Sequence, residues 1–297
     1  LPGAIAGLLR IALLAPRKSK VHKMRPGERL TIALTALGPA FVKLGQALSV
    51  RPDLVGDTLA ADLTSLQDDL QAFRGADARA TIEAELNATI DELFGSFDDT
   101  AIAAASIAQV HKATNLEGEP IAVKVLRPGI EAAFARDLDL ALWGAERVEN
   151  LRPDMRRLRP VEAVLTIIRS VEIEMDLRFE AAAADELRQN FEDDPTFSVP
   201  AVDWQRTGRR VMTTAWIDAT PMNEIDTDLD KSDRETIVGS FARAFFLQVF
   251  RDGFFHADLH PGNIFVDAEG VIHLVDFGIM GRLDRQTRQY LAEMLHG

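Results

Sequence analysis

The chain has 297 residues, which is enough for one two-lobed domain or two smaller ones with a substantial buried core. It carries 33 Lys and Arg residues against 46 Asp and Glu residues, a formal charge of −13, so a nucleic-acid partner is not expected. It contains no cysteine, which excludes disulfides, thiolate zinc sites and cysteine nucleophiles.

The first segment, residues 1–16, is apolar apart from Arg10 and is shorter than the ~20 residues that span a bilayer. A basic cluster follows it, made of Arg17, Lys18, Lys20, Lys23 and Arg25. An apolar segment beside a basic one can lie on an anionic membrane surface, and an ordinary packed helix is the alternative. The chain starts at Leu1 rather than at a Met, and it stops at Gly297, directly after residues 284–296, which have the pattern of the early part of a helix. We therefore expect both ends to be cut.

Apolar residues at spacings of three and four predict a helix over residues 28–50, with a kink at Gly38 and Pro39. This helix buries one face and leaves Lys43 and Gln46 on another. Two further amphipathic helices are expected, over residues 54–70 and 77–94. The first hundred residues are therefore expected to be mainly helical.

After residue 101 the pattern changes to that of a hairpin. Residues 103–113 lead through a polar turn at 115–120 into a strand at 121–125. The apolar residues at odd positions of this strand share one face by its period of two, whereas Lys124 points the other way.

The later elements alternate between helices and short strands. Two long helices are predicted, over residues 130–151 and 161–191. A strand over 209–216 and an apolar helix over 233–250, expected to be buried, come next. A hairpin with strands 264–266 and 271–275 then ends at Asp276, and a carboxylate at a strand end beside a loop is well placed to hold metal.

Residues 255–263 carry the pattern of a phosphotransferase catalytic loop. Asp258 is followed after four residues by Asn263, and an Asp-Phe-Gly sequence begins at Asp276, 13 residues later. In kinases such an Asp acts on the acceptor, while the Asn and the second Asp hold Mg²⁺. We therefore expect Asp258 to be the base or acceptor-orienting group, and Asn263 and Asp276 to be Mg²⁺ ligands.

The residues around Asp258 depart from an ordinary protein kinase. Ala257 stands where the kinase His-Arg-Asp sequence has Arg, which indicates an atypical relative. His256 and His260 are possible metal ligands in principle. A structural hydrogen-bonding role is favoured for His256, and the role of His260 is left open.

Lys124 lies in the sequence Ile-Ala-Val-Lys, which is similar to the kinase strand whose lysine neutralises phosphate oxygens and pairs with a helix glutamate. A lysine facing the surface is the commoner case, but the later motifs favour the functional interpretation. Four acidic residues on the helix predicted over 161–191 are candidate partners: Glu172, Glu174, Asp176 and Glu180. On an unbroken helix Asp176 and Glu180 share a side and Glu174 points elsewhere.

These motifs resemble the UbiB/ABC1/ADCK (Coq8-like) family of atypical protein-kinase-like proteins over nearly the whole chain. Lys43-Leu44-Gly45-Gln46 matches its KxGQ signature, and Glu174-Met175-Asp176 matches its ExD motif. The alanine-rich loop that replaces the kinase glycine-rich loop runs from Ala103, Ala104, Ala105 and Ser106 to His111.

The resemblance assigns roles that the spacing alone does not. It implies that Glu180 pairs with Lys124, and that Glu174 and Asp176 contact the helix of Lys43 and Gln46. It also implies that the loop Ala103, Ala104, Ala105 and Ser106 binds nucleotide together with Lys124. Each Ala adds a Cβ that restricts the backbone, so the loop is expected to hold nucleotide differently from a glycine loop.

The implied fold is α+β, an atypical kinase-like two-lobed fold. It would have a helical KxGQ extension over residues 1–100, an N-lobe over 101–220 and a partial, apparently truncated C-lobe over 221–297. If the helix of Lys43 and Gln46 folds over the cleft, it occupies the place where a protein substrate would bind.

The implied activity is that of an atypical kinase or ATPase which uses ATP (or ADP) and Mg²⁺ and does not phosphorylate proteins in trans. It would support ubiquinone (coenzyme Q) biosynthesis at a membrane, on the cytoplasmic face of a bacterial inner membrane or the matrix side of the mitochondrial one. Membrane lipid and quinone-pathway intermediates or proteins are the implied partners. The alternatives are a small-molecule phosphotransferase of the aminoglycoside or choline kinase type and a nucleotide-gated, non-catalytic scaffold.

Overall fold

The structure is a computed structural model that describes residues 24–49, 52–64, 72–225 and 231–296. The segment predicted to lie on a membrane, residues 1–16, and the basic residues before position 24 lie outside the described residues. The mixture of helices and sheets confirms the predicted α+β class. Within the described ranges, no helix is both long enough and apolar enough to cross a membrane.

The chain forms two compact units that alternate along the sequence. Unit one falls within Leu1–Phe73, Ala103–Gln109 and Leu126–Met175, and unit two within Arg74–Ile102, Val110–Val125 and Asp176–Gly297. The predicted division into segments 1–100, 101–220 and 221–297 stays a prediction.

The α-helices are numbered in chain order. They are α1 Pro26–Leu37, α2 Pro39–Ser49, α3 Pro52–Val55, α4 Asp57–Leu63, α5 Gly75–Leu86, α6 Ile90–Leu93, α7 Ile130–Leu151, α8 Pro160–Glu174, α9 Leu177–Asn190, α10 Lys231–Phe246 and α11 Arg285–His296. Short 3₁₀ turns cover Pro153–Leu158, Trp204–Arg206 and Pro261–Asn263, and a π-helical turn, Leu247–Asp252, extends α10.

The strands are numbered in the same way. They are β1 Ser96–Ala104, β2 Ala108–Thr114, β3 Pro120–Leu126, β4 Phe197–Ser198, β5 Val211–Ala215, β6 Thr220–Pro221, β7 Phe254–His256, β8 Ile264–Val266, β9 Ile272–Leu274 and β10 Met280–Arg282. They form a sheet ordered β1-β2-β3-β5, a pair β10-β7 and a sheet ordered β4-β9-β8-β6.

Unit one is helical and has two apolar clusters. The first lies among α1, α2 and α4, where Leu34, Val42 and Leu63 are buried. The second lies between α7 and α8, around residues such as Phe134 and Val171. The kink expected at Gly38 is a full interruption: Gly38 takes φ +121°, which suits glycine, and Pro39 starts the next helix.

Unit two contains strand β3 and the β8–β9 hairpin, which carry the predicted site. In β3 the residues at odd positions 121, 123 and 125 are buried while Lys124 is only partly buried, as the alternating pattern predicts. β3 pairs antiparallel with β5, with Lys124 opposite Met212. β8 pairs antiparallel with β9, and the turn between them closes where Asp267 N–H donates to the Val271 carbonyl at 3.2 Å.

Four sequence predictions were wrong in detail. The helix expected over 54–70 is interrupted at Gly56, between α3 and α4, and its residues 65–70 lie outside the described residues. The helix expected over 161–191 is two helices, because Asp176 leaves helical geometry and its carboxylate accepts the backbone N–H of Arg178 as an N-cap. The helix expected over 77–94 is also two, because Asn87 takes the left-handed conformation. β1, which starts at Ser96, was not predicted as a strand.

The helix expected over 233–250 is less buried than predicted. Of the side chains described in that segment, Ala244, Gln248 and Val249 are buried, whereas Val238 and Phe246 are more than half exposed. The helix packs on β4 and β9. Its apolar residues are spread around its circumference, so packing on one side leaves several in solvent.

Candidate functional site

Lys124 stands between two carboxylates in unit two. Its Nζ atom lies 2.7 Å and 2.9 Å from the two carboxylate oxygens of Glu180, and 3.2 Å from Oδ1 of Asp276. Strand β3 supplies the lysine, the first turn of α9 supplies Glu180, and Asp276 follows β9. The structure therefore brings together three residues that the sequence places far apart, including the partner that the resemblance assigned to Lys124.

The ammonium of Lys124 and its two carboxylate partners stabilise one another's charged forms. Burial disfavours the ammonium form, but the carboxylates of Asp276 and Glu180 outweigh this and raise the pKa of Lys124. Burial raises the pKa of Glu180, and the ammonium of Lys124 opposes that shift. Lys124 is therefore a fixed positive charge at neutral pH, with one-fifth of its side chain exposed.

The Asp276 backbone has an uncommon conformation, with φ +61° in a residue other than glycine. His256 holds it there: its Nε2 atom lies 2.7 Å from the Asp276 carbonyl oxygen. Since a carbonyl only accepts, Nε2 carries the proton, and Nδ1 is left to accept the backbone N–H of Asp258 at 3.2 Å. His256 is thus a neutral, buried link between the two motifs, which is the structural role favoured for it from sequence.

Two residues support His256: Gln248, which the sequence analysis did not single out, and Phe277 of the Asp-Phe-Gly sequence. Gln248 is fully buried and accepts the backbone N–H of His256 through Oε1 at 3.0 Å. The Phe277 ring packs edge-on against the imidazole at 5.8 Å, and the backbone N–H of Phe277 opposes the rise that burial causes in the pKa of Glu180. Gln248 had a sequence signal, since it is a polar residue inside the apolar run of residues 244–250.

The β8–β9 hairpin sets Asn263 against the chain that leads into Asp276. The Val275 N–H donates to the Asn263 carbonyl at 3.0 Å, one residue before Asp276. The Asn263 side chain is buried, and its Nδ2 donates to the Asp258 carbonyl at 3.2 Å. Because Nδ2 is the donor in this bond, the other end of the amide is the oxygen Oδ1. The bond also links the Asn263 side chain to the backbone of Asp258.

The carboxylates of Asp258 and Asp276 are exposed, in contrast to the buried groups that support them. About half of the Asp276 side chain is accessible. His260 is also exposed, and its Nδ1 accepts the N–H of Gly262 at 3.1 Å, so it stabilises the turn that presents Asn263. Both carboxylates are thus accessible to solvent, while the groups that support them are buried.

The donor atoms fit Mg²⁺. A half-exposed carboxylate at Asp276 and an oriented amide oxygen at Asn263 are hard oxygen ligands, and Mg²⁺ uses few protein ligands when phosphates and water supply the others. Among the described residues no group of three or more His, Asp or Glu is arranged to hold a metal. One carboxylate and one amide oxygen suit an ion that arrives with phosphate and water ligands.

The KxGQ segment is part of α2 in unit one. Two of the residues predicted to interact there, Lys43 and Glu174, form an ion pair. Lys43 Nζ lies 2.9 Å from Oε2 of Glu174, at the end of α8, and both side chains are mostly buried. Gly45 is buried and Gln46 is partly buried. Asp176 belongs to unit two, where Arg178 lowers the pKa of its carboxyl; its contact with the KxGQ helix stays a prediction.

The alanine-rich loop is a tight turn between β1 and β2. Ala105 N–H donates to the Ala108 carbonyl at 2.8 Å, and Arg127 N–H donates to the Ile107 carbonyl at 2.7 Å. Ser106 is buried, so its hydroxyl is not presented to solvent, while Ala103 is exposed and Ala104 and Ala105 are half-buried. The loop belongs to unit one and Lys124 to unit two, and their joint nucleotide site stays a prediction.

Comparison with known proteins gives consistent similarities. Residues 65–297 match the family described as the ABC1 atypical kinase-like domain. A probable protein kinase UbiB from Marinobacter nauticus is 43% identical over 279 residues, covering 92% of this chain and 51% of its own length. Another from Pseudomonas putida is 41% identical over 296 residues, covering 97% and 55%. This chain thus spans about half the length of the curated relatives it matches.

A solved structure is also similar. It is the complex of Rv3197 with erythromycin from Mycobacterium tuberculosis, with a TM-score of 0.62 and 32% sequence identity. The match covers 85% of this chain and 63% of that one.

Proposed function

The chain belongs to the ABC1 atypical kinase-like family, and we propose that it is an atypical kinase of the UbiB type. In this proposal it binds ATP with Mg²⁺ and catalyses phosphoryl transfer or ATP hydrolysis. One observation carries the proposal: the Lys124 ammonium is held by Glu180 and lies 3.2 Å from Asp276. Phosphoryl transfer needs little covalent chemistry from a protein. It needs fixed positive charge and positioned acidic groups, which this cluster supplies.

Each residue has a proposed role. Lys124 binds phosphate oxygens, and Glu180 keeps its ammonium in place. Asn263 and Asp276 would hold Mg²⁺, which when bound supplies positive charge beside the phosphates. Asp258 orients the acceptor hydroxyl or water, whose oxygen bonds to the γ-phosphorus as the bond to ADP breaks, and takes up the proton that is released.

We propose that this activity supports ubiquinone biosynthesis at a membrane, as the likeness to proteins named UbiB suggests. Those relatives are bacterial, so the cytoplasmic face of an inner membrane is the proposed location. Lipid, and intermediates or proteins of the quinone pathway, are the proposed partners. We propose water or a non-protein acceptor rather than a protein substrate in trans.

The test measures ATP binding and phosphate release by the full-length protein, with and without Mg²⁺ and with vesicles or quinone-precursor mimics added. Lys124→Ala should lower turnover by about a hundredfold, the usual cost of removing a fixed charge that stabilises a transition state. Lys112→Ala is the matched control, because Lys112 lies on the neighbouring strand β2 and packs over Trp216 at 4.3 Å.

The outcomes separate the alternatives. Equal turnover in the two lysine variants would rule out the proposed site. A phosphorylated small molecule formed in step with ADP would indicate a small-molecule kinase. Thermal stabilisation by nucleotide without any turnover, even with vesicles, would indicate a nucleotide-gated scaffold.

A further inference from the structure

A π-helical turn ends helix α10 directly before the loop of the candidate site. The turn, Leu247–Asp252, leads into strand β7 and then to Asp258. The Gly253 N–H donates to the Gln248 carbonyl five residues earlier, which is the hydrogen bond of a π-helix. Such bonds are rare, and single turns of this kind inside α-helices are frequently found at functional sites.

The turn is held in this geometry by residues outside it. Gly253 takes φ +66°, and a Cβ atom there would lie 2.6 Å from the Leu283 carbonyl oxygen, so glycine is required. The Leu283 N–H donates to the Gly253 carbonyl at 2.8 Å. Arg288 of α11 donates from Nη1 to the Arg251 carbonyl at 2.6 Å, near the end of the helix, where carbonyls lack partners within it. The turn is thus specified by tertiary contacts and is not a frayed helix end.

One side of the turn contacts the loop of Asp258. Gln248 is 1% exposed, and its Oε1 accepts the backbone N–H of His256 at 3.0 Å. The His256 ring is hydrogen-bonded to the backbone of both Asp258 and Asp276. Gln248 therefore acts on the two carboxylates through His256.

The other side of the turn contacts the helix that carries Glu180. Arg251 donates from Nη2 to the Asn190 carbonyl at 2.6 Å, at the last residue of α9. Its guanidinium lies 4.8 Å from the centre of the Phe191 ring, and two hydrogen bonds of 2.7 Å and 2.9 Å to the Asp252 carboxylate hold it in place. Because a cation is favoured at the carbonyl end of a helix, Arg251 fixes α9 at the end opposite Glu180.

We propose that the π-helical turn aligns helix α9 with the loop of Asp258, and that Gln248 and Arg251 are its positioning residues. The directions of these two side chains depend on how the turn is wound, since one residue more or less rotates a helix by about 100°. The proposal deepens the proposed function and rests on it, because the aligned groups are the partner of Lys124 and the two acidic groups of the candidate site.

The first test is ATP turnover by the full-length protein carrying Gln248→Met or Arg251→Met. Methionine is a long unbranched side chain that fills the space and cannot make these hydrogen bonds. Each variant should lower kcat by about fivefold, the fold-change that corresponds to one lost hydrogen bond. Because both residues act through one element, the double variant should lose far less than the product of the two losses. A loss of the full product, about twenty-five-fold, would mean that they act independently and that the proposal is wrong.

Conservative variants separate the hydrogen bonds from the shapes of the side chains. Gln248→Glu keeps an oxygen that can accept the His256 N–H, and Arg251→Lys keeps a cationic donor for the Asn190 carbonyl. Each should recover part of the lost kcat. If neither recovers any, packing rather than hydrogen bonding explains the loss, and the positioning roles are wrong.

Two control variants test whether lost stability alone explains the effects. Thr213→Val removes a buried hydroxyl that donates to the Arg206 carbonyl at 2.8 Å, on the face of β5 away from Lys124. Arg74→Met removes an exposed arginine that pairs with Asp77. Thr213→Val should lower the urea midpoint about as much as Gln248→Met does, and both controls should keep the kcat of the parent. An equal fall of kcat in Thr213→Val would overturn the proposal.

The second test does not use activity. Nitrogen NMR spectra of the histidine rings report which ring nitrogen carries the proton, and His256→Gln identifies the His256 signal among those of the six histidines. The parent should show a single form with the proton on Nε2. Gln248→Met and Arg251→Met should both shift or broaden this signal. Since the side chain of Arg251 is bonded to Asn190 and Asp252 rather than to His256, an unchanged signal in its variant would contradict the alignment.

The two tests separate this proposal from the proposed function. If the parent protein neither binds nor hydrolyses ATP, the proposed function is contradicted, and the alignment is decided by the His256 signal. If the parent turns over ATP and both methionine variants keep its rate, the proposed function stands and the positioning roles are wrong.

Discussion

The ring of His256 donates from Nε2 to the backbone carbonyl of Asp276 at 2.7 Å and so connects two motifs that are 20 residues apart. The other ring nitrogen accepts from the backbone of Asp258. One buried imidazole therefore sets the positions of both exposed carboxylates in the candidate site. Since Asp276 has φ +61°, this hydrogen bond also maintains a conformation that most residues avoid.

We expect His256→Leu to lower the free energy of unfolding by about 1 to 3 kcal/mol, because it leaves the Asp276 carbonyl and the Asp258 N–H without their buried partner. It should also weaken Mg²⁺-dependent nucleotide binding, since both carboxylates lose their support. His256→Gln keeps a donor and should recover part of each effect. His260→Gln is the control, because His260 is exposed. Equal effects at positions 256 and 260 would contradict a positioning role.

Asp276→Asn should weaken Mg²⁺-dependent nucleotide binding by about tenfold or more, because it removes the charged oxygen from the proposed ion site. The fold should tolerate the change, since Asn adopts a positive φ more readily than most residues. Isothermal titration with and without Mg²⁺ measures the effect. Asp284→Asn, at the start of α11, should leave affinity unchanged. Mg²⁺ dependence that survives in the Asp276 variant would remove Asp276 from the ion site.

Glu180→Gln should lower ATP turnover by at least about tenfold, because the ammonium of Lys124 keeps only Asp276 as a charged partner. It should lower the free energy of unfolding by about 1 to 3 kcal/mol, since the amide replaces two charge-assisted hydrogen bonds. Glu186→Gln on the same helix is the control, because its exposed pair with Arg282 contributes little. Turnover that falls equally in the two variants would show that helix α9, rather than the Lys124 pair, is responsible.

Much of the fold follows from local patterns. The bounds of α7, Ile130–Leu151, match the prediction because its apolar residues keep helical spacing from end to end. The side of β3 that carries Lys124 follows from alternation, and the hairpin before Asp276 follows from its polar turn. In each case the signal lies within about twenty residues of sequence.

The rest depends on distant partners. The break between α8 and α9 contains no Gly or Pro that would predict it from sequence. The Leu177 N–H at this break donates to the Arg209 carbonyl at 2.9 Å, which is a contact with a distant part of the chain. A single unbroken helix would have pointed its acidic residues in directions that the two real helices do not share. Helical periodicity alone therefore could not choose the partner of Lys124 among the four acidic candidates. The left-handed backbone of Asp276 likewise depends on His256 and is invisible to local propensity.

Lys43 and Glu174 should be energetically coupled within unit one. Their side chains are only 20% and 16% exposed at an N–O distance of 2.9 Å, so solvent screens the pair less than a surface one. A double-mutant cycle with Lys43→Ala and Glu174→Ala should give a coupling of about 1 to 2 kcal/mol in urea unfolding. The exposed pair Arg159 and Glu162 should give about 0.5 kcal/mol or less. A coupling no larger than that of the exposed pair would contradict the geometry.

The buried His111 should make the protein less stable as pH falls below neutrality. Burial lowers the pKa of this imidazole, and the hydrogen bond from Nδ1 to the Asp98 carbonyl at 2.8 Å opposes the shift only in part. In the unfolded chain a histidine titrates near a pKa of about 6.5. Below that pH the unfolded state binds a proton that the folded state does not, so the unfolding free energy declines by up to about 1.4 kcal/mol per pH unit until the folded pKa is reached.

The measurement is urea unfolding of the parent and of His111→Asn between pH 7.5 and pH 5, a range of about 2.5 units around that pKa. Asn can keep the donor to Asp98 but does not titrate, so the variant should lose less stability as pH falls. The other five histidines of the chain are common to both proteins and cancel in the difference. The lowered carboxyl pKa of Asp267, which His273 and backbone N–H groups stabilise, acts only in more acidic solution. Identical pH slopes in the two proteins would mean that His111 is protonated equally in both states, contrary to its burial.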